Sequence, residues 1–195
     1  YRRYREVGMT PVQTNKKIYD AFDDADNGRI FTLRKEGKLV SSFRIHVADE
    51  PTSEIPSRKI FAEILEPLLA EGKTMIDPTR FVVDTLASRR NPELTAFTVR
   101  LAPMASIYHG VDLGLGCVQA KHRAFYKRSF GFSIFCEPRP YPGLINPVCL
   151  MGGTIDMIKD SYFHRYPYMS LRAGEGDRLF GTGMTENILQ FPGKR

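Results

Sequence analysis

No apolar run in the 195-residue chain approaches the roughly 18 residues that a membrane-crossing helix needs, so no integral membrane segment is expected. Cysteine is sparse and odd in number. Cys117, Cys136 and Cys149 each sit in an apolar stretch (LGCVQ, SIFCEP, PVCLM), which suits buried, reduced thiols in a cytoplasmic protein and argues against a disulfide framework. CxxC is absent, and His46, His109, His122 and His164 do not fall at ligand spacings, so no metal site is expected. Gly114-x-Gly116 lacks the third glycine of a dinucleotide fingerprint and reads as a turn. There is no internal repeat and no low-complexity block. The opening YRRYREVGM is basic, but no apolar stretch follows it, so no signal peptide is read there. A start at Tyr1 instead of Met suggests an upstream segment.

What is present is ordinary for a globular protein: 42% hydrophobic residues, and a length suited to one domain, residues 1–195, with a full core. The net charge of +6 suits several kinds of anionic partner. The basic residues are not interleaved with aromatics as on a nucleic-acid platform, so nucleic acid is not expected among them.

A helix precedes two β-rich runs, residues 30–34 and 39–46, which flank the turn KEGK as a hairpin. ADEPTSEIPS is a loop by composition. Ile60, Phe61, Ile64, Leu65, Leu68 and Leu69 then form one apolar stripe at helical spacing, closed by Gly72. Residues 79–84 read as a strand with Pro78 at its start. Asn91 caps a helix whose core face is Leu94, Phe97, Leu101, Met104 and Tyr108. LGLGCVQ is a strand, AKHRAFYKRSFGF contains a helix ending at Gly131, and FSIFCEP and PVCLMGG are strands. From about Ile155 to residue 195 the chain is helical at first, then a loosely packed, Gly-rich extension. This order predicts an α/β fold, one mixed twisted central sheet flanked by helices on both faces.

One stretch resists this reading. MIDPTRFVVDT reads as a buried strand, yet it holds Asp77, Arg80 and Asp84. Buried charge needs partners, so these groups are either solvated strand ends or a site. By alternation Arg80, Val82 and Asp84 share one face, and Phe81 and Val83 the other.

The element order, with AFYKRSFGF, resembles the GNAT acyltransferase superfamily. YDAFDD with Asp20 and Asp23, Arg44 in SSFRIHV, DPTRFVV and HRAFYKRSFGF are together similar to the branch that holds the acyl-homoserine lactone synthases and the N-acyl amino acid synthases. The former carry an acidic pair ahead of the hairpin, an arginine in its second strand, and Glu-x-Ser/Thr-Arg-Phe at the family's fourth strand. Asp20 and Asp23 match the pair, Arg44 the arginine, and Asp77 to Phe81 the last motif with Asp for Glu. FYKRSFGF leans toward the N-acyl amino acid synthases. The resemblance spans most of residues 1–152. The lactone-synthase branch usually has a tryptophan ahead of the acidic pair, and this chain has none anywhere.

The resemblance implies an N-acyltransferase that moves a long-chain acyl group from a thioester to the amine of an amino acid or related acceptor. The family's pyrophosphate loop, Gln/Arg-x-x-Gly-x-Gly/Ala, is replaced by TLASRRNPEL, which has no glycine with which to approach a pyrophosphate closely. That implies acyl carrier protein as donor, with the acyl-phosphopantetheine arm as substrate, CoA as the alternative, and no tightly bound cofactor. Arg89 and Arg90 would meet the arm's phosphate, with Val82, Val83 and Tyr126 along the donor. The acidic carrier would dock on Lys121, Arg123, Lys127 and Arg128. The family's acid tyrosine sits in Tyr-x-x-x-Gly-Phe, whereas here one extra residue turns Tyr126 by about 100° from that position.

The amine must lose a proton before it attacks the thioester. Asp77, at the strand mouth, is the first candidate to receive it, and Asp84 the second. Asp20, Asp23 and Arg44 would bind the acceptor, with Arg80 paired to the acidic set. The competing reading is an ion pair that only organises the fold. His122 reads as a satisfied histidine, and Cys117 is not placed as a nucleophile. The rival functions are an acetyl-CoA-dependent N-acetyltransferase, an autoinducer-synthase-like enzyme and a non-catalytic acyl-binding module. An open slot between the family's fourth and fifth strands separates enzyme from module.

Overall fold

Glu36 and Gly37 both adopt positive φ (51° and 74°), the conformation a two-residue type I′ turn requires. That turn joins β1 (Gly28–Lys35) to β2 (Lys38–Ala48), paired from Gly28↔His46 to Lys35↔Lys38. The stripe before Gly72 becomes α2 (Arg58–Ala70), which buries Phe61, Leu65 and Leu69. Gly72 ends it at φ 78°, with its N–H bonded to Leu69 O and that of Lys73 to Leu68 O. The computed structural model describes residues 1–181.

β3 (Met75–Val83) begins four residues ahead of the expected strand, so Pro78 is internal to it. Pro78 faces Ile45 of β2. Proline has no N–H to exchange, so this is a non-hydrogen-bonded pair, and the missing donor points away from β2. On that side β3 pairs in parallel with β4 (Leu113–Val118) only at Met75↔Leu113 and Ile76↔Gly114. Beyond Ile76 the two strands diverge, and Pro78 stands where no ladder bond is lost.

After β3 the expected single helix is three: α3 (Thr85–Arg90), α4 (Glu93–Val99) and α5 (Leu101–His109). Asn91 ends α3 instead of opening the next helix. Pro103 cannot donate to the carbonyl of Val99, and α4 and α5 separate at Arg100. α6 (Arg123–Phe130) ends at Gly131, φ 72°. β5 (Ser133–Arg139) and β6 (Val148–Thr154) complete one mixed sheet of order β1-β2-β3-β4-β6-β5.

α2 packs on one face of the sheet, against Ala48, Met75, Leu115 and Leu150. α5 packs on the other, against Phe31, Phe43, Ile45 and Ile76. α1 (Arg2–Glu6) precedes the sheet; α7 (Ile155–Ile158) and α8 (Glu175–Phe180) follow it. The expected loosely packed extension is corrected by α8, whose Leu179 and Phe180 are buried in the core beside Phe31. Burial of these two large apolar side chains outweighs the surrounding glycines. Residues 182–195, the rest of that expectation, lie outside the described residues. No helix among the described residues is long and apolar enough to cross a membrane.

Candidate active site

The divergence of β3 and β4 opens a cavity of about 840 Å³, within the range of small-ligand sites. Its sides are residues 78–81 of β3 and 115–118 of β4. Segments from residues 4–20 and 141–144 close it. These two segments are tied together: Thr10 Oγ1 donates to Gly143 O (3.1 Å) and Ile145 N to Met9 O (2.9 Å). Behind the splay, on the α5 side, lies a small recess of about 30 Å³. It is apolar apart from Ser106 and the Tyr126 hydroxyl, and shares Phe43, Pro78, Leu115 and Tyr126 with the main cavity.

One wall is charged. Asp20 and Asp23 form a capping box around the short turn 21–23: Asp20 accepts from Phe22 N, and Asp23 from Asp20 N. Arg44 Nη1 donates to Asp20 Oδ1 (2.7 Å) and Asp23 Oδ1 (2.6 Å), and its Nε to Thr79 Oγ1 (2.9 Å). Arg80 Nη2 donates to Asp20 Oδ2 (2.7 Å) and lies 3.3 Å from Asp23 Oδ2. Arg44 is 3% exposed, and a cation so buried needs a carboxylate partner; it has two, one shared with Arg80 at short range. Partial burial pushes the Asp20 carboxyl up, but the hydrogen bonds and charges of Arg44 and Arg80 outweigh it and hold it below its ordinary value.

Arg80 reaches this cluster because β3 is bulged. Its φ is +52°, and the register with β2 slips between Ser42 and Arg44. On an unbroken strand Arg80 would share the face of Ile76 and Pro78, toward α5. The bulge places it with Thr79 on the Asp20 side, and returns Phe81 to the α5 face, where it packs edge-on against Phe43 (5.7 Å).

Asp20, Arg44, Arg80 and Tyr126 line the cavity, and Asp23 backs it. Asp77 is not on the wall. It is fully buried, accepting from Ser57 N (2.8 Å) and Ser57 Oγ (2.7 Å) at the start of α2. Burial pushes its carboxyl up to about 6, against the pull of those two bonds and the Arg44 charge. Ser57 Oγ also lies 3.3 Å from Cys117 Sγ, which does line the cavity; burial raises that thiol well above its ordinary value.

Asp84 is the N-cap of α3, accepting from Ala87 N (2.9 Å), and pairs with Arg2 (2.9 Å). Val82 O accepts from Ser41 Oγ, and Val83 packs on Leu33, Val40 and Leu94. Arg89 and Arg90 are exposed in the last turn of α3. None of these five residues lines the cavity. Burial raises the Tyr126 hydroxyl to about 12, so the phenol stays protonated.

Sequence reasoning missed Gln119 and Tyr4 and set His122 aside, and all three line the cavity. Burial and Lys121 lower the His122 imidazole, leaving it neutral near pH 7. Only the position of Gln119 and His122, directly after an apolar strand, hinted at them. Among the described residues no three His, Cys, Asp or Glu are gathered to hold a metal.

The family model of FeeM, N-acyl amino acid synthase FeeM, matches residues 1–154. The structure of FeeM, an N-acyl amino acid synthase from uncultured soil microbes, is similar at a TM-score of 0.69 and 18% identity, over 83% of this chain and 89% of that one. BjaI, a CoA-dependent acyl-homoserine lactone synthase solved with MTA, is similar at a TM-score of 0.57 and 12% identity, over 87% of this chain and 77% of that one. No curated protein matches this chain in sequence. The sheet with its splayed centre is thus a GNAT-type acyltransferase fold, and the chain belongs to the FeeM family of N-acyl amino acid synthases.

Proposed function

We propose that this N-acyltransferase moves a fatty acyl group from an acyl carrier protein thioester to the α-amine of an amino acid. The observation that carries this reading is the open slot between β3 and β4, which leads to a cavity charged on one wall and apolar behind. Two aspartates and two arginines make that wall dipolar without net charge, which suits a zwitterion. Arg80 takes the acceptor carboxylate and Asp20 its ammonium. The His122 imidazole lines the cavity and is held in its neutral, proton-accepting form, and it takes the ammonium proton. The amine then attacks the thioester carbon, the C–S bond breaks, and the leaving thiolate takes up the proton that the nitrogen sheds as the amide forms. Asp77 acts from behind the wall, through Ser57, by fixing Cys117 and the edge of β4.

Two features favour a carrier protein over CoA. The N-terminus of α3, where a GNAT enzyme would seat a pyrophosphate, is capped by the Asp84 carboxylate, which repels one. Lys121, Lys127 and Arg128 are exposed around α6, beside the cavity wall at His122 and Tyr126, and suit an acidic partner. Arg123 is held by Glu137 (2.6 Å).

The test is thiol release with amide detection by mass, using long-chain acyl carrier protein and acyl-CoA in parallel over a panel of amino acids. Amide from the carrier donor at higher kcat/KM than from CoA is expected. Lys127→Glu with Arg128→Glu should lower carrier kcat/KM about tenfold at low salt and leave an acyl-pantetheine donor unaffected. No amide from any donor would overturn the acyl-transfer reading, and a preference for CoA would overturn the carrier assignment.

A further inference from the structure

Gln119 directly follows β4 at the open side of the slot. It is 6% exposed and lines the cavity, and its amide Nε2 is buried without a hydrogen-bond partner among the described residues. A buried donor left unpaired costs about 1–3 kcal/mol, and native folds keep few of them. Past the last rung, Ile76↔Gly114, Arg80 of β3 and Gln119 just beyond β4 both line the cavity, one from each strand. Gln119 therefore stands across the slot from the bulge at Arg80, where a thioester donor must pass. Its backbone is already anchored, since its carbonyl accepts from His122 N (2.9 Å). What it offers the slot is a buried N–H donor with no partner among the described residues.

The complement of such a group is a neutral acceptor. A carboxylate has the arginines of the opposite wall. An acyl-thioester donor brings carbonyl oxygens into the slot itself: that of the thioester, and those of the amides in a pantetheine arm. We propose that Gln119 Nε2 donates a hydrogen bond to a carbonyl oxygen of the acyl donor and so sets its depth in the slot. This assignment rests on the acyl-transfer reading above.

The experiment uses the full chain with Gln119→Leu and Gln119→Glu. The first removes the polar group at similar size, and the second keeps the shape but accepts only. Wild-type turnover comes first, because its absence would remove the acyl-transfer reading without bearing on Gln119. With an active wild type, both variants should lose about tenfold or more in kcat/KM for the donor, with the acceptor KM unchanged. The Tm of Gln119→Leu should stay level or rise, because an unpaired buried amide is gone. Two donors locate the bond. An acyl-pantetheine has both kinds of carbonyl, whereas the acyl thioester of a simple alkyl thiol has only one. A loss on both donors assigns the thioester oxygen, and a loss on the first alone assigns an arm amide. Folded variants with wild-type kcat/KM on both donors would overturn the proposal, as would full activity in Gln119→Glu.

Discussion

Replacing Asp77 with asparagine should make the protein more stable at neutral pH and less so in acid. The carboxyl is fully buried, and burial raises it from about 3.8 to about 6. Between those values the folded chain binds more protons than the unfolded chain, so stability falls as pH rises through the window. At about 1.4 kcal/mol per unit, the shift to about 6 amounts to about 3 kcal/mol lost by pH 7. An asparagine has nearly the same shape. Its oxygen can accept from Ser57 N, and its amide can donate to Ser57 Oγ, so both contacts survive without a charge. Urea unfolding of wild type and Asp77→Asn from pH 4 to 7.5 gives the measurement as a difference. Asp20 and Glu175, both held below their ordinary values, contribute the opposite slope to each protein and cancel. The variant should gain about 3 kcal/mol on wild type across the range. A difference flat to within about 0.5 kcal/mol would refute the reasoning, since it would mean that Asp77 ionises as freely folded as unfolded.

Arg44→Met leaves Asp20 and Asp23 without their innermost partner, and should cost about 3–5 kcal/mol by equilibrium unfolding. A loss under about 1 kcal/mol would show the acidic pair to be solvated. Asp84→Ala removes an N-cap and should cost about 1 kcal/mol with kcat intact; a large fall in kcat would return Asp84 to the role of base. Arg80→Gly should be more stable than Arg80→Ala by about 1 kcal/mol, the reverse of the usual strand order, because position 80 has φ +52°. Thermal melts that keep the usual order would argue against the bulge.

Much of the scaffold was legible because local rules and tertiary packing agree there. The stripe from Ile60 to Leu69 with Gly72 after it, and the hairpin around Glu36 and Gly37, need no knowledge of distant residues. The failures share a cause. Asp84 was read as a base because its charge stood out, while its bond to Ala87 N makes it the opening of a helix that TLASRR did not advertise. Asp77 was placed at a strand mouth, but its position is fixed by Ser57, twenty residues earlier in the chain. The bulge that turns Arg80 occurs without a glycine to mark it. The cavity wall from residues 4–20 has no periodicity to read, because its place depends on bonds to the loop between β5 and β6. The acidic pair and Arg44 were found through resemblance, and Gln119 has no motif at all.

The seam between β3 and β4 has a mechanical consequence. The sheet is two antiparallel three-stranded blocks, joined by two parallel rungs. So short a joint fixes a pivot and leaves the opening angle to whatever clamps the blocks from above and below. On one side the clamp is α2, whose Phe61, Leu65 and Leu69 rest on Met75 of one block and on Leu115 and Leu150 of the other. On the other side, Leu101 and Met104 of α5 pack on the β1–β3 block, and Val99, at the end of α4, packs on the second block at Val118 and Met151. The gape of the slot, and with it the girth of any acyl thioester it admits, is therefore governed in large part by helix side chains, Phe61, Leu65, Leu69, Leu101 and Met104, that stand outside the cavity.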